Sequence, residues 1–296
     1  MSLLVSAGSA TGNEMAQAVT PPGELPLEWH DFTGDGKSDL VAREQSTGNV
    51  YVFRHSGRVN GTLTFDQKIL VLQGAQNFTW MGVNDVTGDS IADLVARLDD
   101  GTMVTYPGVG GLNGLDTFEA PIVVGSGWGI VNQLQLSDVT GDGYADISGV
   151  WSTTGELFVW PSTGVFDGTN TWGPKELVGT GWNAYNWVGS NEATSDDEKP
   201  DLVARKASDG TLQLYPHQQF YDGTKTYVGP VQVGKGYQSV QPVTMTDLNL
   251  DGFPDIIAKR GGDLIFYPNA GGYDGDNTFR APITLGTTWS GMDLVA

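Results

Sequence analysis

Residues 138–146 read Asp138-Val-Thr140-Gly-Asp142-Gly-Tyr144-Ala-Asp146, and the same arrangement returns along the chain. It stands as Asp31-Phe-Thr33-Gly-Asp35-Gly-Lys37-Ser-Asp39, as Asp85-Val-Thr87-Gly-Asp89-Ser-Ile91-Ala-Asp93, and as Asp247-Leu-Asn249-Leu-Asp251-Gly-Phe253-Pro-Asp255. An altered copy, Glu192-Ala-Thr-Ser-Asp196-Asp-Glu-Lys-Pro-Asp201, fills the remaining interval. The starts at 31, 85, 138, 192 and 247 are 54, 53, 54 and 55 residues apart. A fixed period of this size marks an array of equivalent structural units.

Outward from the acidic loop, each unit reads as short strands joined by turns. In residues 80–128, Trp80-Met-Gly-Val-Asn-Asp-Val runs extended into the loop and Asp93-Leu-Val-Ala-Arg97 leaves it. Asp100-Gly101 is a hairpin signal. Met103-Val-Thr-Tyr106 forms a third strand stopped by Pro107-Gly108, and Pro121-Ile-Val-Val-Gly125 a fourth. The other units repeat the scheme, and no long segment carries the 3.6-residue period of an amphipathic helix. A lone four-stranded sheet cannot bury both faces, so the units must pack face to face. Radial packing does this and leaves only short edges. The expected fold is all-β: a five-bladed β-propeller of four-stranded antiparallel blades, with a linear solenoid as the lesser alternative.

Five units of about 54 residues fill the chain from residue 27, so residues 1–26 read as an N-terminal extension and 27–296 as the propeller with a C-terminal strand. Ring closure stays open at this point. Leu27-Glu-Trp29 has the look of a first strand, whereas Ser290-Gly-Met-Asp-Leu-Val-Ala296 resembles the start of a sixth unit. The terminal strand either completes the first blade or pairs elsewhere, for example in another subunit.

Composition narrows the function classes. Thirty-five acidic against fifteen basic side chains give a net charge of −20, which disfavours nucleic acid and anionic membrane surfaces. No stretch approaches the ~20 apolar residues of a membrane helix. With no cysteine there are no disulfides and no thiolate chemistry. Nine Trp, ten Tyr and eleven Phe argue for a substantial packed core.

The repeated loop reads as a calcium site. Calcium takes six to eight oxygen ligands, and alternate positions of a tight loop can all point inward. Positions 1, 5 and 9 are aspartates in four copies: Asp31, Asp35 and Asp39; Asp85, Asp89 and Asp93; Asp138, Asp142 and Asp146; Asp247, Asp251 and Asp255. Thr33, Thr87, Thr140 and Asn249 supply a neutral oxygen at position 3. Lys37, Ile91, Tyr144 and Phe253 vary at position 7, which suits a backbone carbonyl. About four structural Ca2+ ions are expected, with a weaker second site because Ser90 replaces glycine. The altered copy is expected to hold no ordinary ion. The competing reading is that Asp and Gly are turn residues of a hairpin.

The pattern resembles the FG-GAP/VCBS repeat family, the calcium-loop propellers typified by integrin α-subunits and by fungal and bacterial lectins of integrin-like fold. The resemblance extends over nearly the whole chain from about residue 27. Glu119-Ala-Pro121 and Arg280-Ala-Pro282 echo the Gly-Ala-Pro part of the family name. It implies that the loop aspartates hold blades together and perform no chemistry, and that the protein is secreted or extracellular.

Units close on a small residue and usually an aromatic one, with Phe78 or Trp80 standing nearby in the first. Trp128, Trp182, Tyr237 and Trp289 are thus candidate sugar platforms, since aromatic faces stack on the C–H face of sugar rings and repeated sites act together. The alternative is that these rings wedge between blades as core. No Gly-x-Ser-x-Gly or zinc motif occurs, and most carboxylates belong to the repeated loops, so a non-enzyme is expected. The functional expectation is a calcium-stabilised, multivalent carbohydrate-binding module that recognises a glycan or cell-surface glycoconjugate. A protein-interaction or adhesion module from a larger secreted protein is the alternative.

Overall fold

The computed structural model describes residues 30–191 and 199–296. The altered loop copy at 192–198, the stretch Leu27–Trp29 and the N-terminal extension lie outside the described residues. Twenty strands follow one another: β1 (Leu40–Glu44), β2 (Asn49–His55), β3 (Phe65–Leu72), β4 (Phe78–Asn84), β5 (Asp93–Leu98), β6 (Met103–Tyr106), β7 (Ile122–Gly125), β8 (Val131–Ser137), β9 (Asp146–Trp151) and β10 (Leu157–Trp160). They continue with β11 (Glu176–Gly179), β12 (Tyr185–Asn191), β13 (Asp201–Lys206), β14 (Leu212–Tyr215), β15 (Val231–Gly234), β16 (Gln241–Thr246), β17 (Asp255–Arg260), β18 (Asp263–Tyr267), β19 (Ile283–Gly286) and β20 (Met292–Val295). Helical structure among the described residues is confined to short 3-10 turns.

The strands form five four-stranded antiparallel sheets, in the orders β20-β1-β2-β3, β4-β5-β6-β7, β8-β9-β10-β11, β12-β13-β14-β15 and β16-β17-β18-β19. We call these blades I to V. The first strands β4, β8, β12, β16 and β20 touch in succession and line the axis, which makes the array a closed five-bladed propeller and excludes the solenoid.

The second strand of each blade explains its own sequence. Leu40-Val-Ala-Arg43, Leu94-Val-Ala and Leu202-Val-Ala are buried at every residue, on both faces, because a blade is covered on each side by its neighbour. A two-sided strand reads as a continuous apolar run rather than an alternation. Hydrophobic clusters accordingly straddle blades. One joins Val41 and Val50 of blade I to Leu94 and Ala96 of blade II, and another joins Leu40 and Ala42 to Ile257 and Phe266 of blade V.

Ring closure is intramolecular. Strand β20 pairs with β1 in the register Ala42↔Val295 and Arg43↔Leu294, and Val41 and Ala296 exchange two backbone hydrogen bonds of 2.9 Å. The buried Arg43 guanidinium adds an ion pair to Asp293 and donates to the carbonyls of Ala75 at 2.8 Å and Phe78 at 2.5 Å. The same position in other blades repeats the reach across the interface. Arg97 donates to Val131 O, Arg205 to Val240 O and Lys259 to Met292 O, each in the following blade. These cations thus share one kind of partner, a carbonyl of the next blade, with Asp293 the added partner of Arg43.

Deleting residues 290–296 is expected to expose β1 as an unpaired edge and to strip Met292, Leu294 and Val295 from the closure. At about 1.5–3 kcal/mol per buried aliphatic side chain, discounted for the partial exposure of two of them, the loss is on the order of 4 kcal/mol. Thermal denaturation combined with size-exclusion chromatography checks this: a much lower Tm with self-association is expected, and an unchanged monomeric melt would contradict the closure.

Candidate functional site

The acidic loops share one hydrogen-bond plan. The position-1 aspartate folds back over its own loop. Asp31 accepts the N–H of Thr33 at 2.9 Å, Gly34 at 2.8 Å and Gly36 at 2.7 Å, and Asp138 those of Gly141 at 2.7 Å and Gly143 at 2.9 Å. Asp85 likewise takes Gly88 and Ser90, and Asp247 takes Gly252. Position 6 needs a left-handed backbone to aim that N–H. Gly143 and Gly252 adopt φ +90° and +89°, and Ser90 is held at +67° in the same role. Position 5 is the exposed corner. Asp142 and Asp251 accept the N–H of Tyr144 and Phe253, Asp89 that of Ile91, and Asp35 pairs with Lys37 at 2.7 Å.

The position-9 aspartate does something different. It is buried in every blade and joins two segments. One oxygen accepts loop amides, as Asp93 does from Val86 and Thr87, both at 2.9 Å. The other accepts an N–H at the exit of the blade's third strand, from its last residue in blade I and from two residues past its end in the others. These pairs are Asp39 with His55, Asp93 with Gly108, Asp146 with Ser162, Asp201 with His217 and Asp255 with Asn269, at 2.7–2.9 Å. Asp201 keeps the strand-exit bond, from His217 N–H, although its own loop copy has lost the repeat pattern in sequence.

Burial dominates the electrostatics. Desolvation raises the Asp39 and Asp146 carboxyls to about 7, Asp93 to about 6 and Asp255 to about 8. The neighbouring loop aspartates push in the same direction by repulsion, while the amide hydrogen bonds oppose both. The donor set of each loop, three carboxylates with a hydroxyl or amide oxygen and peptide carbonyls, is all hard oxygen and fits calcium chemically. Each carboxylate oxygen has a second lone pair beyond its amide contact. In their present arrangement the carboxylates are turned onto loop amides, and among the described residues no three His, Asp or Glu side chains are gathered to hold a metal.

The four candidate sugar platforms are corrected by the fold. Trp128, Trp182, Tyr237 and Trp289 are all buried. Each opens a 3-10 turn or loop after a blade's last strand and wedges against the third-strand aromatic of the next blade. Trp128 meets Trp160 at 4.8 Å between centroids, Trp182 meets Tyr215 at 4.7 Å, Tyr237 meets Tyr267 at 4.9 Å and Trp289 meets Phe53 at 4.4 Å. A ring packed between two blades turns no full face to solvent, and of the four only Trp289 also borders one of the concave surfaces described next. The wedge has a partner in the sequence: three residues earlier stands Gly125, Gly179, Gly234 or Gly286, where an added Cβ would strike the ring. Blade I departs consistently. Ala75 takes the aromatic position, Leu72 takes the glycine position, and Phe78 fills the gap against Tyr106 at 5.9 Å.

Two concave surfaces stand out. Trp289 also lines a groove of about 350 Å³ at the junction of blades V and I, with Phe65, Asp66, Lys68, Thr287 and Thr288. The larger space is the axial channel, about 1110 Å³, walled by the first strands. Its side chains were missed at the sequence level; the available signal was Trp-x-Gly in two first strands, Trp80 to Gly82 and Trp187 to Gly189.

The FG-GAP-like repeat family model matches residues 31–96 and 195–258. No curated protein matches the chain. Among solved structures, a protein described in work on the de novo evolutionary emergence of a symmetrical protein aligns with TM-score 0.56 and 15% identity, over 87% of this chain and 97% of its own. An Agrocybe aegerita lectin, described as specific for non-reducing terminal N-acetylglucosamine, gives TM-score 0.45 at 22% identity over 85% and 67%. The BP39L lectin of Burkholderia pseudomallei gives 0.40 at 15% over 84% and 71%. At such identities the likeness is one of fold.

Replacing Trp182 with Ala is expected to remove an interblade wedge and lower stability by about 3–5 kcal/mol. Urea unfolding checks it: a loss below about 1 kcal/mol would return this ring to the surface as a free platform.

Proposed function

For this chain, a propeller of FG-GAP-like repeats, we propose an extracellular carbohydrate-binding role in which calcium braces the acidic loops and the sugar is taken in grooves between blades. The observation that carries the glycan reading is the groove at the junction of blades V and I. Half-buried Phe65, with the accessible edge of the buried Trp289 beside it, forms an apolar floor rimmed by a carboxylate, an ammonium and two hydroxyls. Apolar floor with polar rim is the pairing a sugar ring presents in reverse, C–H face against aromatic and hydroxyls against hydrogen-bond groups. Trp289 also pairs with Phe53, and like pairs stand at three other junctions, Trp128 with Trp160, Trp182 with Tyr215 and Tyr237 with Tyr267, which are the places for further sites of unequal strength. Binding through several of them is multivalent.

Calcium would be held by positions 1, 3, 5, 7 and 9 of the four regular loops, with Asp142 and its equivalents turning from loop amides toward the ion. The ion would supply the positive charge needed to draw the three loop carboxylates together.

With metal stripped, the position-9 carboxyls make stability fall as pH rises from about 4 to about 8. Near pH 3 they are protonated in both states. Across the window the unfolded chain, with ordinary aspartates, ionises before the buried groups at about 6 to 8 do, so the folded state loses ground and the loss is complete above about 8. Calcium at a hundredfold excess over Kd is expected to add about 2.7 kcal/mol per site and to flatten that slope. Melting curves at pH 5 and pH 8, with calcium and with chelator, decide it. Identical melts in both would end the calcium reading.

For the glycan, Asp66→Ala and Thr288→Ala alter exposed rim groups and are expected to change stability by no more than about 0.5 kcal/mol. Both variants should lose signal on a glycan array that the unaltered protein binds. Full binding by both, or no glycan bound by the parent protein, refutes this site.

A further inference from the structure

The repeat breaks where the axial channel is widest in chemical variety. At one level the wall is built from Leu294, Trp80, Gln133, Trp187 and Gln241, contributed by blades I to V in turn; Trp80, Trp187 and Leu294 face Arg97, Arg205 and Arg43 in the strand register. Trp80 and Trp187 are half-buried. Each packs against a core cluster and also borders the channel. Their rings lie along their own strands over Gly82 and Gly189, where an added Cβ would come within 2.5 and 2.6 Å of the indole. Glycine at those two positions lets the indoles lie flat along the wall.

Between the two indoles, β8 bulges and Gln133 sits at φ +52°, a left-handed conformation costly for a side-chain-bearing residue. Its Nε2 donates to Tyr185 O at 2.5 Å, and its Oε1 is buried without a protein partner. Deeper in the channel, Asn84 is 5% exposed, donates to Leu136 O and leaves its Oδ1 unpartnered as well. A buried acceptor without a donor is an expensive feature to build into a wall. Of the cations at this level, Arg43 has a carboxylate partner and Arg97, Arg205 and Lys259 donate to neutral oxygens. Asp293 pairs with Arg43, and Arg97 donates to Thr79 Oγ1 at 2.8 Å and to Val131 O.

We propose that the axial channel is a second binding site, for one ring of a saccharide held between Trp80 and Trp187, with the Gln133 and Asn84 amides turning their unpartnered oxygens toward its hydroxyls. Two flat aromatic walls select a ring with an apolar face. Orphaned acceptors select hydroxyl donors, and the cations nearby already donate to protein oxygens. The cavity is large enough for a small-molecule ligand. This site shares the ligand class of the proposed function but none of its groove residues.

The test uses full-length protein labelled with 5-fluorotryptophan, with resonances assigned by Trp80→Phe, Trp187→Phe and Trp289→Phe, each of which keeps a ring in place. Methyl glycosides of the common neutral hexoses and N-acetylhexosamines are added singly at millimolar concentration. Saturable shifts of Trp80 and Trp187 in the same titration are the expected result. Should they appear without Trp289, the channel stands and the groove falls. A shift of Trp289 alone overturns the channel site and leaves the groove. No shift at any of the three overturns both. Gln133→Ala should weaken the channel titration several-fold, up to about tenfold; an unchanged affinity with unchanged melting would remove Gln133 from the site.

Discussion

A carboxylate buried between two chain segments is the constraint on which each blade depends. The ninth position of the acidic loop, Asp39, Asp93, Asp146, Asp201 or Asp255, is almost wholly inaccessible and joins the segment that leaves the third strand to the loop end of its own strand. Burying a carboxylate is costly unless it is hydrogen-bonded, and here amide donors from both segments make the loop and the strand exit mutually dependent. Removing the aspartate would leave those amides without an acceptor. The bond to the strand exit survives at Asp201, where the rest of the repeat has changed in sequence. Its structural duty is therefore separable from any role with a metal.

The second constraint acts between blades. A strand covered on both sides needs apolar residues throughout, and the wedge-shaped space near each junction needs something large. The aromatic pairs fill it, and the glycine three residues upstream clears room for the ring. Blade I supplies an internal control: with Ala75 in the aromatic position, Leu72 replaces the glycine and Phe78 enters from the following strand. Volume is conserved across the junction while its residues are redistributed, as close packing requires. Arg43, Arg97, Arg205 and Lys259 then cross the same junction to carbonyls, so packing and hydrogen bonding secure one interface.

Much of this was legible in the residues, for identifiable reasons. The 53–55 residue spacing of the acidic loops set the blade count, and Asp-Leu-Val-Ala-Arg marked a two-sided strand. Ring closure was not legible, because a terminal strand bears the same pattern whether it pairs at home or abroad; the register of Val295 with Ala42 resolved it. The facing of Trp128, Trp182, Tyr237 and Trp289 also escaped a linear reading. An aromatic after a Gly turn is equally at home outside or inside, and the neighbouring blade decides. Position 9 was read as a ligand in common with positions 1 and 5, whereas its burial and its long-range partner depend on a contact 14–16 residues away. Trp-x-Gly in two first strands was present throughout but acquires meaning only when those strands face one axis.

Symmetry separates what holds the molecule together from what distinguishes it. Features present in every blade, the carboxylate clamp and the interblade packing, are explained by stability alone. The axial wall does not follow the repeat: equivalent positions carry Trp, Gln, Trp, Gln and Leu, and one of them is held at positive φ with an orphaned oxygen. Stability gives no reason for five equivalent strands to diverge at that level, since a uniform ring of small apolar residues would close the axis at lower cost. Strain and unpaired polarity concentrated at one level of a channel are what a binding site requires and a scaffold does not. The departure from the repeat, more than the repeat itself, is therefore where the specificity of this propeller is written.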